Sequence, residues 1–161
     1  MKHRAYSILD VKEMSEEAEV IRIKGIASTP TTDRMGDVVE PMGARFKTPM
    51  PLLWQHRHDE PVGHVVFAQP TKAGIPFEAT LPIIKEAGRL KERVDEAIHS
   101  LRYRLVAAVS IGFAAVEGAI ERIETGLRIK ECEWLELSLV TIPANSEATI
   151  TAIKSIDAEL L

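Results

Sequence analysis

The sequence predicts a mainly β chain with helices, of α+β class, whose strands form a small closed or partly closed barrel flanked by helices. Two patterns carry that expectation. Short runs of alternating apolar and polar residues, separated by turn formers, recur from residue 20 to residue 153. Residues 84–108 break the pattern and repeat apolar residues at three- and four-residue steps instead. The length of 161 residues, 45% hydrophobic and 27% charged, suits one domain over residues 1–161 with its core at about 20–153.

Residues 10–19 are acidic and polar and read as an exposed connection. Residues 20–27 (VIRIKGIA) set Ile21 and Ile23 against Arg22 and Lys24, the period of a half-buried strand. Residues 28–43 (STPTTDRMGDVVEPMG) are rich in turn formers, so a long ordered loop with one brief strand at Val38 and Val39 is expected. Residues 49–54 lead into His56. Residues 62–68 and 77–81 are strand candidates, joined by a turn carrying Pro70, Gly74 and Pro76.

The helix expected over 84–108 places Leu90, Val94, Ala97, Ile98, Leu101 and Leu105 on one face. Lys91, Glu92, Asp95 and Arg102 fill the other, and Gly88 delays its start. Strands follow at 109–117, 119–124, 127–141 and 148–153. Thr125 and Gly126 make a hairpin turn, and Ile142-Pro143-Ala144-Asn145 forms a loop before the last strand.

The net charge of −4, with no block of like charge, gives no footprint for nucleic acid. The single cysteine, Cys132, excludes an intramolecular disulfide framework and fits a reducing compartment. No apolar run of about 7–15 residues follows the first six, so no secretory signal is expected. No window approaches the ~20 apolar residues of a membrane span.

Three polar residues stand in apolar surroundings. Ser110 lies in Val109-Ser110-Ile111-Gly112-Phe113, His56 closes Leu52-Leu53-Trp54-Gln55-His56, and Glu136 sits within Trp134-Leu135-Glu136-Leu137-Ser138-Leu139-Val140. In a strand, Ser110 shares its face with Gly112, which leaves room for a substrate or another backbone. A histidine titrates near neutral pH and suits a general base. A carboxylate in a run buried on both faces is costly unless paired, and a histidine is its natural partner. Hydroxyl, imidazole and carboxylate together make an activated nucleophile. Each also has a plainer reading: a small residue on a crowded sheet, a surface histidine at a turn, a glutamate on a solvated face with Ser138. His58 and His64 compete with His56 as base, and Asp59 or Glu133 with Glu136 as the acid. His56, His58 and His64 could alternatively form a metal site, although their spacing matches no known zinc motif.

The blocks LLWQHRHDEPVGHV (residues 52–65), VSIGF (109–113) and LELSLVTIPANSEATI (135–150) resemble the signature blocks of the tailed-phage prohead protease family. TPTTDRMGDVVEP (29–41) is similar to that family's opening block. That family resembles the herpesvirus assemblin proteases in fold, so the resemblance implies a herpesvirus-protease-like barrel. It implies a serine endopeptidase with Ser110 as nucleophile and His56 as base. In the herpesvirus group the third member is a second histidine; here Glu136 stands in the corresponding strand. The layout also implies an oxyanion hole at Ala144 and Asn145, whose N–H groups are available where Pro143 has none.

The implied substrates are scaffold protein, the N-terminal segment of the capsid protein precursor, and the protease itself. Their cleavage occurs inside the assembling prohead in the host cytoplasm. A homodimer is a further implication, with the apolar stripe of the long helix either the contact or packed on its own barrel. No cofactor, metal, nucleic acid or membrane is called for. A catalytically silent capsid-assembly protein on the same fold is the alternative.

Overall fold

The structure, a computed structural model, describes residues 20–156; the acidic stretch at 10–19 lies outside them. The first strand, β1 (Val20–Ser28), buries Ile21 and Ile23 and turns Arg22 and Lys24 outward, as the alternation requires. It is flanked by two antiparallel neighbours, β6 (Ile75–Pro82) and β11 (Ile150–Ile156). From β6 the sheet continues through β5 (Arg57–Phe67) to β4 (Met50–Trp54). There β4 lies parallel to β10 (Cys132–Val140), which also holds the two-residue β3 (Ala44–Arg45). On its other edge β10 pairs antiparallel with β7 (Ala108–Ala115).

The sheet curls until its two ends approach each other. Val109 N–H donates to Ala148 O (3.1 Å), and Ile150 N–H donates to Ala107 O (3.1 Å). The start of β7 therefore meets the chain entering β11, and the barrel is partly closed. Ile23, Leu52, Phe77, Leu81, Leu137 and Leu139 fill its interior. Each such side chain contributes about 1.5–3 kcal/mol by leaving water. A separate small sheet joins β2 (Val38–Val39), β9 (Leu127–Ile129) and β8 (Ile120–Arg122), the last two linked by the expected Thr125-Gly126 hairpin.

The described residues hold one α-helix, α1 (Arg89–Arg102), and one 3-10 turn at Pro41–Gly43. Four expectations about element bounds need correction. The helix is shorter than 84–108. Gly88, at φ 147°, stands before its first turn. Arg104, at φ 58°, ends it in the left-handed conformation while Leu105 N–H caps Ser100 O (2.9 Å). Leu90 and Leu105 are accordingly 46% and 72% exposed, and the apolar stripe that remains is Val94, Ala97, Ile98 and Leu101. That stripe is buried in the chain's own core.

The strand expected over 62–68 begins earlier, at Arg57, because the chain reverses in only two residues after Trp54. The run 127–141 is two strands. Lys130 N–H reaches Ala119 O (2.8 Å), and Glu131 O accepts from Val116 N–H (3.1 Å), so the pair crosses from the small sheet to the barrel. Ala148 belongs to a turn closed on Asn145 O (3.0 Å), and the last strand starts at Ile150.

Candidate active site

Glu136 is 2% exposed, in a strand where every residue except Glu133 is buried. Two local features admit it. The β7–β10 register shifts between Trp134 and Glu136, a bulge that absorbs Leu135 and re-aims the strand. The residue opposite Glu136 is Gly112, and a Cβ there would lie 2.2 Å from Glu136 Oε1. The glycine gives up its side chain so that the carboxylate can occupy the space. Both carboxylate oxygens are satisfied. Oε1 lies 2.6 Å from His56 Nδ1, and Oε2 accepts from Ser138 Oγ at 2.7 Å. Those bonds offset the cost of burying the charge.

His56 occupies the second position of the two-residue turn between β4 and β5. Gln55 and His56 have φ of 51° and 60°, the pairing of a type I′ hairpin turn, which ordinarily selects Asn-Gly. Each non-glycine residue held there costs about 1–3 kcal/mol, so the surroundings must enforce it. They do so from β10. Gln55 N–H donates to Leu139 O (2.9 Å), the Gln55 amide to Thr141 Oγ1 (3.0 Å), and His56 N–H to Ser138 Oγ (3.0 Å). Ser138, fully buried, thus accepts from the His56 backbone and donates to the Glu136 carboxylate.

The hydrogen bond to Glu136 holds the His56 pKa above its ordinary 6.5, with partial burial pulling against it and the carboxylate charge adding to it. The carboxylate facing Nδ1 favours the tautomer with the proton there, which leaves Nε2 of the neutral ring its lone pair. The His56 side chain is 43% exposed, against 2% for Glu136.

Ser110 is directly opposite Ser138 in the β7–β10 pairing, on the face that carries Gly112 and Glu136. It is 7% exposed and opens on a pocket lined also by Ser28, Thr29, Ile111, Phe113, Ala144 and Asn145. Among the described residues Ser110 Oγ makes no hydrogen bond, to His56 or elsewhere. The structure joins His56 to Glu136 and puts Ser110 one register pair from that cluster, with the hydroxyl unspent. Ala144 and Asn145 share the pocket with Ser110, and their N–H groups have no acceptor among the described residues. The Asn145 side chain is tied to Thr29, donating to its carbonyl (3.2 Å) and Oγ1 (3.1 Å).

The competing residues stand elsewhere. His58 and Asp59 are exposed on β5 beyond the turn, and Glu133 is the one exposed residue of β10. His64 pairs with Pro51 and Thr80, and its burial lowers its pKa. Among the described residues no three His, Cys, Asp or Glu side chains gather closely enough to hold a metal, so His56, His58 and His64 do not converge. Burial pushes the Cys132 thiol up to about 11, which makes it a core residue rather than a nucleophile. No helix among the described residues is long and apolar enough to cross a membrane. Ser138 and Gln55 are the working residues that the sequence reading passed over. Ser138 stood two positions from Glu136, on the same face of a strand, and that period was the available signal.

The chain is similar to several known phage and viral proteins. A capsid polyprotein of Pseudomonas phage PAJU2 is 56% identical over 159 residues, which cover 98% of this chain and 23% of that protein. The chain therefore corresponds to 23% of the length of that relative. The prohead protease of Escherichia phage T5 is 28% identical over 158 residues, covering 91% of this chain and 70% of the relative. The varicella-zoster virus protease superposes with a TM-score of 0.53 over 84% of this chain and 64% of its own, at 13% identity. That likeness concerns the fold, which is the herpesvirus-protease-like barrel that the sequence blocks implied. Residues 10–160 match the model of the Caudovirus prohead serine protease, and the chain belongs to that family.

Proposed function

We propose that this chain is a serine endopeptidase of capsid maturation, with Ser110 as nucleophile, His56 as general base and Glu136 as the acid that orients it. The observation that carries the reading is the 2.6 Å contact between His56 Nδ1 and a buried Glu136, on the sheet face that also presents Ser110. In the reaction Ser110 Oγ attacks the scissile carbonyl while His56 Nε2 takes its proton. Glu136 stabilises the imidazolium. His56 then protonates the leaving amine, and water releases the acyl group by the same route. The N–H groups of Ala144 and Asn145 receive the oxyanion. The Ser110–His56 hydrogen bond forms when substrate enters, as catalytic contacts commonly tighten only in the loaded site.

The substrates are the capsid protein precursor, including its N-terminal segment, scaffold protein, and the chain itself. Cleavage takes place inside the assembling prohead in the host cytoplasm. Support comes from the relative described as a capsid polyprotein, of which this chain matches only 23%. A protease segment within a capsid polypeptide has that polypeptide as its nearest substrate. The test is co-expression with a capsid protein precursor. Wild type should release defined fragments, and Ser110→Ala should leave the precursor intact while keeping its fold. Equal processing by both would end the reading at this serine, and no processing by either would favour a silent assembly protein.

A further inference from the structure

The DRMGD loop, residues 33–37, has no part in the mechanism above, yet its arginine touches the candidate oxyanion loop twice. Arg34 Nε donates to Pro143 O at 2.9 Å, and Arg34 N–H donates to Ala144 O at 2.9 Å. These two carbonyls belong to the two peptide units whose nitrogens are those of Ala144 and Asn145. In a planar trans peptide the C=O and the N–H point in opposite directions. A residue that fixes both carbonyls therefore fixes both N–H vectors, aimed away from itself. Those N–H groups have no acceptor among the described residues, and Ala144 and Asn145 line the pocket onto which Ser110 opens. Ala144 is exposed and Asn145 half-buried, so both N–H groups, beside the candidate nucleophile, can be reached by an incoming anion.

We infer that Arg34 is a positioning residue that sets the direction of the Ala144 and Asn145 N–H groups toward the oxyanion formed on Ser110. The inference rests on the serine-endopeptidase reading and assigns a role to a loop which that reading leaves unused.

The brace is itself held. Asp33 Oδ1 accepts from Met35 N–H (2.8 Å) and Asp37 N–H (2.9 Å), and Asp33 N–H closes on Asp37 O (2.7 Å). Asp37 Oδ1 accepts from Leu127 N–H (2.9 Å), which anchors the loop to β9. The Asn145 side chain, bonded to Thr29, also tethers the residue that carries the second of these N–H groups. An arginine suits the position because its guanidinium is planar and rigid, so a donor at Nε has a defined direction that a flexible ammonium lacks.

The test measures kcat and KM on a peptide copied from the cleavage site mapped in the capsid precursor. The proteins are wild type, Arg34→Ala, Arg34→Met and Arg34→Lys, with Ser110→Ala as the blank. Loss of a whole oxyanion donor costs about 10²–10³ in turnover, and these variants keep the Arg34 N–H bond, so a fall of about tenfold in kcat is expected for Ala and Met. KM should stay within about twofold and Arg34→Lys should recover part of the rate, since misaimed donors affect the transition state rather than ground-state binding. Thermal melting identifies which variants are folded, and Arg34→Met keeps the stem packing should Arg34→Ala fail to fold. A folded Ala or Met variant with wild-type kcat overturns the inference, as does a loss confined to KM. An active Ser110→Ala blank would instead remove the endopeptidase reading beneath it, which separates the two failures.

Discussion

The acid–base pair and the pocket loops differ in how they are held. Glu136 and Ser138 are buried, and Gly112 makes room for the acid from the neighbouring strand. His56 is fixed by bonds from both its ring and its backbone. On the pocket side, the strap from Thr29 and Thr31 to Glu147 is made largely of exposed side chains. The hydroxyls of Thr31 and Thr29 hold the Glu147 carboxyl below its ordinary pKa, but at a fully exposed position. Exposed hydrogen bonds exchange readily with water and contribute little net stability. The His56–Glu136 pair is thus built into the sheet, while the pocket loop is tied in part by surface contacts of little net stability.

That contrast can be broken most forcefully at the acid. Glu136→Gln should keep the fold and lower turnover on the order of 10⁴-fold, because an amide favours the wrong histidine tautomer. Near-normal cleavage in that variant would move the third role to Asp59 or Glu133. Gly112→Ala is the next largest. Its Cβ would meet Glu136 Oε1 at 2.2 Å, so the carboxylate must move. A shift of ~1 Å costs on the order of 10² in rate, and overpacking costs about 1–3 kcal/mol in stability, read by kinetics and by chemical unfolding. Should Gly112→Ala melt and cleave like wild type, the tight fit around Glu136 is wrong.

Ser138→Ala tests the link between base and acid. It strips an acceptor from His56 N–H and a donor from Glu136, so about 1–3 kcal/mol of stability should go, with a moderate loss of kcat. The pH profile sharpens the same point. Cleavage requires neutral His56, whose pKa lies above 6.5, so the acid limb of kcat/KM should fall above 6.5 in wild type and move down in Glu136→Gln. The stability that the pair contributes is present below the ordinary histidine pKa and is lost as pH rises through the raised one. An acid limb that ignores the Glu136 substitution would mean that some other group sets it. The smallest effect is expected at His58→Ala, an exposed position, and a loss there exceeding that of His56→Ala would reverse the choice of base.

Much of this arrangement was legible in the chain. Alternation marked β1, β6 and β7, and the three polar residues in apolar runs marked His56, Ser110 and Glu136 as unusual. His56 Nδ1 and Glu136 Oε1 lie 2.6 Å apart. What could not be read was whatever depends on a partner strand. The bulge at Leu135 exists only relative to β7, and Gly112 has meaning only opposite Glu136. The break at Lys130 and Glu131 follows from bonds to Ala119 and Val116, while local pattern alone favours an unbroken strand. The helix was overextended because Leu90 and Leu105 continue its period, although Gly88 and the left-handed Arg104 end it. Gln55 and His56 lack the Asn-Gly signature of such a turn, and Gln55 is not a residue that local preference puts at positive φ.

That last feature has a practical consequence for engineering. The imidazole rides on the shortest connection that can reverse an antiparallel pair, so there is no slack between the barrel and the proposed proton acceptor. Adding one residue between Trp54 and Arg57 would rotate the ring off the acid while sparing most of the strand pairing. A loop that accepts insertions elsewhere in a protein is here a rigid lever, and its length is as much a part of the chemistry as the side chain it carries.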